Sequence, residues 1–272
     1  MRNLDEMTIT QAVLAYNRGA SDARLYDVMT SLVQHLHAFA RDIKLTEGEW
    51  RQGMAFLGDV GQVAPASEEF ALLSNVLGLS TLVLVQNERK PAVCTQATAF
   101  YTAPGPHAEL RDLGADINPQ LGGPKGYVQG VVRDEKGGAV PNAQLHLRVA
   151  GVEALLQADD QGRYHFSTSL PGSHQVRHDG PVKQLLAVLN RHAWRPAHLA
   201  FSVSAAGHQP LTTHVYREGD PYLDSDALFA VRPSLITQWQ CQPAGATPDG
   251  GHSDEVFYTL TFDFVLAKQP LG

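Results

Sequence analysis

The chain has 272 residues, 43% of them hydrophobic and 18% charged, which suits one core domain with a helical extension better than two independent domains. A formal net charge of -7 argues against nucleic acid, whose phosphates select basic surfaces. No run of about 18 apolar residues is present, so no membrane span is expected. The start, Met1 to Glu6, is polar and acidic without a signal-peptide core, and the chain reads as cytoplasmic. Cys94 and Cys241 lie far apart with no paired spacing, so no zinc or redox motif is indicated, and a disulfide between them would be unusual in that compartment.

The first hundred residues have helical period. Leu25, Val28, Met29, Leu32, Leu36, Phe39 and Ile43 recur at three- and four-residue steps and predict an amphipathic helix over 23–43. Thr46 and Glu49 have the spacing of a capping box, which opens a second helix carrying Trp50, Met54 and Leu57 on one face. A third helix is predicted over 67–83, with Phe70, Leu73, Val76 and Leu77 sharing a side.

From about Pro104 the period falls to two. Residues 104–125 are rich in Pro and Gly and read as a linker. Strands are predicted over 127–133, 143–149, 163–168, 198–204, 211–216 and a long one over 256–266. In the second of these, Leu145, Leu147 and Val149 face one way and Gln144, His146 and Arg148 the other. The expectation is an α+β protein: a helical N-terminal domain over 1–103, followed by an antiparallel β-sandwich over 104–272. His146, His165, His208 and His252 read as solvent-facing, and Tyr164 as a core aromatic.

The segments Arg191–His198, Ser204–Gly207, Leu211–Thr213 and Glu218–Ala227 resemble the intradiol ring-cleavage dioxygenases that act on catechol, chlorocatechol and hydroxyquinol. His35–Phe39, Leu45–Trp50 and Phe70–Gly78 resemble the helical domain of the same family, so the likeness runs from about Leu4 to Leu235. It implies a homodimer joined through the N-terminal helices and a small hydroxylated aromatic substrate. It also implies a ferric ion held by two tyrosines and two histidines. The family's paired histidines fall on His198 and Ala200, and one of its tyrosines falls on His174, six residues before Gly180 in the Asp179–Val182 run. The loop bearing the other tyrosine is missing between Arg148 and Ala158. Arg195 matches an arginine thought to stabilise the substrate anion, and His214 stands where the family has a glutamine beside the metal. A smaller deletion falls at Ala99–Tyr101, where the family lines its substrate pocket, so Phe100 is a candidate contact.

The ferric site of the family is therefore expected to be replaced by a histidine-rich pocket. Four readings stay open. His174, His198 and His214 could hold a divalent ion such as Fe(II) or Zn(II). They could instead act without metal as acid and base on a substrate bound by Arg195, His214, His178 and Phe100, with His174, His198 and Arg195 as the catalytic set. Or the protein could be a non-catalytic relative that binds an aromatic ligand or a partner, or retain residual catechol-type dioxygenase activity.

Overall fold

A computed structural model gives the fold and describes residues 3–99, 108–176 and 179–270. Phe100, Arg177 and His178 lie outside the described residues. The helical part comprises α1 (Ile9–Tyr16), α2 (Ala23–Asp42), α3 (Glu47–Gln62), α4 (Ala66–Val76) and α5 (Leu79–Asn87). Asp22 caps α2 by accepting the Leu25 N–H at 2.9 Å. The Thr46–Glu49 box opens α3 reciprocally: Glu49 Oε2 accepts the Thr46 N–H at 2.8 Å, and Thr46 Oγ1 accepts the Glu49 N–H at 3.3 Å. The apolar stripe of α2, from Leu25 to Ile43, is exposed along its length. The single helix predicted over 67–83 is two helices bent by 79°. Gly78 adopts a left-handed φ of 73°, which ends α4 and redirects the chain into α5.

The strands are β1 (Leu110–Arg111), β2 (Lys125–Asp134), β3 (Gln144–Val149), β4 (Val152–Gln157), β5 (Arg163–Ser169), β6 (His174–Gln175), β7 (Trp194–Arg195), β8 (His198–Ser204) and β9 (Leu211–Arg217). The short α6 (Pro181–Val188) lies between β6 and β7. The rest are β10 (Ile236–Thr237), β11 (Gln240–Gln242), β12 (Gly245–Ala246), β13 (His252–Ser253), β14 (Phe257–Thr261) and β15 (Phe264–Leu266). One sheet has the order β1-β4-β3-β8-β9-β10; the other is β11-β14-β2-β15, with β5 on β2. The inner pairs β3–β4, β3–β8, β8–β9 and β2–β5 are antiparallel, whereas β1–β4, β9–β10 and the pairs of β2 with β14 and β15 are parallel. Inward-facing Leu145, Leu147, Val149, Leu199, Phe201 and Val203 meet Val128, Val132, Tyr164, Phe166 and Phe264 in one buried cluster, so the sheets face each other as a sandwich.

Contacts divide the chain into two compact units, Met1–Asp59 and Val60–Gly272, so α4 and α5 belong to the unit that holds the sheets. Both cysteines are free, Cys94 buried and Cys241 exposed. Among the described residues no single helix is long and apolar enough to cross a membrane.

The long strand predicted over 256–266 is interrupted at Phe262 and Asp263. The Phe262 carbonyl turns in against Gly130 of β2, where an added Cβ would lie 1.8 Å from the oxygen. The Tyr164 hydroxyl donates to that oxygen at 2.6 Å, and Asp263 accepts the Val131 N–H at 2.9 Å. Tyr164 is thus a core aromatic with its polar end spent on this kink. The Gly130→Ala variant is expected to lose at least about 1–3 kcal/mol, because backbone has to move to admit the methyl. Its urea midpoint, compared with the parent's at equal slope, measures this.

Candidate active site

The β8–β9 pairing sets the floor of the site. On a strand, residues two apart share a face, so His198 and Ala200 point together, as do His214 and Tyr216. The antiparallel register puts His198 across from Tyr216 and Ala200 across from His214. The β6–β7 pairing brings His174 opposite Arg195. Three imidazoles expected from the sequence therefore converge: the rings of His174 and His198 are 4.9 Å apart, and those of His198 and His214 are 4.7 Å apart. They line a cavity of about 620 Å³ with Arg195 and Ala200. Its walls come from Leu121, Val149, Leu170 and Pro171, and from the Arg148–Glu153 ion pair.

The β3–β4 connection explains the cavity's shape. Ala150 and Gly151 both have positive φ, 49° and 83°, and turn the chain in two residues. That is the geometry a tight two-residue hairpin needs. No longer loop reaches over the site from this edge. His146 corrects its solvent-facing expectation: its side chain is 16% exposed and its Nε2 lies 3.5 Å from Glu153 Oε2.

Arg195 is buried at the centre. Its Nε donates to Asp226 Oδ1 at 3.1 Å, and its Nη2 donates to Asp226 Oδ2 and to the Tyr216 hydroxyl, each at 3.3 Å. Its Nη1 faces Nε2 of His198 at 3.4 Å and Nε2 of His214 at 3.5 Å, both long contacts. The partners assign the tautomers. His198 Nδ1 lies 2.7 Å from the Pro196 carbonyl, which only accepts, so Nδ1 carries the proton and Nε2 keeps its lone pair. In His214 the guanidinium donor faces Nε2, so the proton sits on Nδ1 and goes to Thr98 Oγ1 at 2.6 Å. Burial, then the Arg195 charge, hold His198 and His214 well below the ordinary imidazole range. His174, open to solvent, is lowered for the same reasons.

The residues do not fit the ferric ion of the resembled family. Among the described residues no tyrosine lines the cavity, and Tyr164 is spent in the core. Burial raises the Tyr216 phenol, the opposite of what an iron-bound phenolate requires. Among the described residues no group of three or more His, Cys, Asp or Glu is placed to hold a metal ion. The guanidinium lies between two of the nitrogens that would bind it.

Some residues of the site escaped the sequence reading. Asp226 and Asp220 lay inside a quoted segment, but nothing marked them as partners. Asp220 accepts from the Ser173 hydroxyl at 2.6 Å and from the Ala197 N–H at 2.9 Å, which fixes the approach to both His174 and His198. Tyr216 was legible by parity with His214. Thr98 was not, since 116 positions separate it from His214.

Comparison with known proteins places this geometry in context. Residues 151–268 match the family described as dioxygenase, and residues 22–95 the one described as catechol dioxygenase N terminus. The chain is 42% identical to 6-chlorohydroxyquinol 1,2-dioxygenase of Cupriavidus pinatubonensis, over 98% of this chain and 99% of that protein. It is 37% identical to hydroxyquinol 1,2-dioxygenase of Nocardioides simplex, over 96% of this chain and 95% of that one. The crystal structure of hydroxyquinol 1,2-dioxygenase from Pseudomonas putida superimposes with a TM-score of 0.87 at 32% identity, covering 97% of this chain and 99% of that one.

The neutral imidazoles carry a stability cost in acid. His198 and His214 take up protons less readily folded than unfolded, so below about pH 6.5 the unfolded chain binds more protons. Their contribution is constant above that pH. It is lost as pH falls below it, at up to about 1.4 kcal/mol per pH unit for each imidazole, until the depressed folded values are passed. Urea unfolding between about pH 7.5 and 5.5 is expected to show this loss, and a His214→Gln variant a shallower slope.

Proposed function

This chain belongs to the intradiol ring-cleavage dioxygenase family, and from that premise we propose that its cavity binds a hydroxylated aromatic compound and works on it with imidazoles instead of a ferric ion. The observation that carries this reading is the floor of the cavity: His174, His198 and His214 stand together there, held neutral, with no tyrosine hydroxyl among the described lining residues. The relatives are named for hydroxyquinol and its chlorinated form, so a benzenetriol is the ligand to try first. At about 620 Å³ the cavity has the size of a small-molecule site, and its mixed walls, with Leu121, Val149, Leu170 and Pro171 beside the Arg148–Glu153 pair, over a polar floor suit a flat ring bearing hydroxyls.

In this reading His174, the ring most open to the cavity, exchanges a proton with a ligand hydroxyl. A neutral imidazole near physiological pH is suited to that, and such help is worth about 10²–10⁴ in rate. His198, His214 and Arg195 form the rigid floor that orients the ligand. Calorimetric titration with hydroxyquinol is expected to give saturable binding that His174→Ala and His198→Ala each weaken. Protein incubated with iron is expected to show no purple-red phenolate-to-iron band and no ring opening of catechol, and EDTA is expected to leave any turnover unchanged. A visible band together with ring-opened product would overturn the reading.

The exposed stripe on α2 also supports a homodimer joined through the N-terminal helices. Light scattering at micromolar protein is expected to give twice the chain mass.

A further inference from the structure

Arg195 has five N–H groups in a rigid planar fork, and each has an acceptor within the protein. Nε and one Nη2 hydrogen go to the two oxygens of Asp226, and the other Nη2 hydrogen goes to Tyr216. The two Nη1 hydrogens face the Nε2 atoms of His198 and His214. We propose that the Arg195 guanidinium is the resident cation of this pocket, holding by hydrogen bonds the two imidazole nitrogens that a metal ion would hold by coordination. The inference rests on the reading that the site works without the family's ferric ion, and it supplies the physical reason for it.

Three features support the assignment. Imidazole coordinates metal through a lone pair, and at Nε2 of both rings that lone pair is directed at a donor. The Pro196 carbonyl, which only accepts, holds the His198 proton on Nδ1, and in His214 the opposite nitrogen is already taken by the Thr98 hydroxyl. The guanidinium is also unable to swing aside. Arg195 and Asp226 side chains are each 2% exposed, and Asp226 accepts in addition the Leu228 and Ala230 N–H groups at 3.3 and 3.1 Å. A divalent ion entering beside this fixed charge would meet repulsion as well as occupied lone pairs. Arg195 is thus a positioning residue: it acts through the two rings.

Histidine-selective ¹⁵N labelling of the whole chain tests this. Long-range proton–nitrogen spectra are expected to show His198 and His214 as Nδ1–H tautomers, with Nε2 resonances that stay in place when Zn(II) is added. After dialysis against micromolar Zn(II) or Fe(II), bound metal is expected to stay far below one ion per chain. A variant carrying Arg195→Met and Asp226→Asn together removes the cation and its counter-charge. It is expected to bind Zn(II) about tenfold more tightly or better than the parent, with both Nε2 resonances moving. Should that variant fail to fold, Arg195→Lys keeps a charge but lacks the fork, and at least one Nε2 resonance is expected to lose its hydrogen-bonded shift. An Nε2–H tautomer at either ring, equal Zn(II) affinity in parent and double variant, or one metal ion per chain that His198→Ala removes would each overturn the proposal. Hydroxyquinol binding is read separately by calorimetry, so failure of the ligand reading leaves this result standing.

Discussion

The buried pair of Arg195 and Asp226 is the constraint around which the site is organised. Two opposite charges sit almost wholly out of water, and such a pair is tolerable only when its remaining donors and acceptors are satisfied. Here they are. The carboxylate takes two guanidinium hydrogens and two backbone amides, and the guanidinium reaches a phenol and two imidazoles. Removing one partner from such a pair costs about 3–5 kcal/mol, since the other is left as an uncompensated charge. That energy ties together elements with no local reason to meet: the end of β7, the floor strands β8 and β9, and the turn after Asp226.

The same pair sets the electrostatics of the pocket. Asp226 lies on the Nε and Nη2 side of the guanidinium, while Nη1 points at the rings of His198 and His214. The positive end of the ion pair therefore faces the imidazoles. Burial and the guanidinium push in one direction, toward neutral rings. A pocket lined by three histidines commonly suggests a metal centre; here the charge that completes it is covalently part of the chain.

Backbone geometry shapes this site as much as side-chain chemistry does. The two-residue turn at Ala150–Gly151 lets β3 and β4 run as a tight hairpin up to the cavity edge, where the Arg148–Glu153 pair closes the wall. Ala200, a single methyl across from His214, lines the same cavity and offers no lone pair.

Much of this protein is written in local pattern. The three- and four-residue spacing of apolar positions determined α2, the Thr46–Glu49 box determined the start of α3, and the alternation over 144–149 determined which side of β3 is buried. Short-range sterics and hydrogen bonding decide those features, so the sequence alone suffices. Strand parity and family resemblance also placed His174, His198, His214 and Arg195 in one pocket. What only the tertiary structure decided are the contacts made across long separations. The long strand after residue 256 breaks because Gly130 of β2 admits the Phe262 carbonyl. Arg195, read as an anchor for a substrate anion, has each of its hydrogens committed to residues up to 31 positions away. His214 finds its Nδ1 partner in Thr98, 116 positions distant. The physical reason is common to these cases: a hydrogen bond or a close approach depends on where two groups lie in space, and only the packing of the sheets determines that.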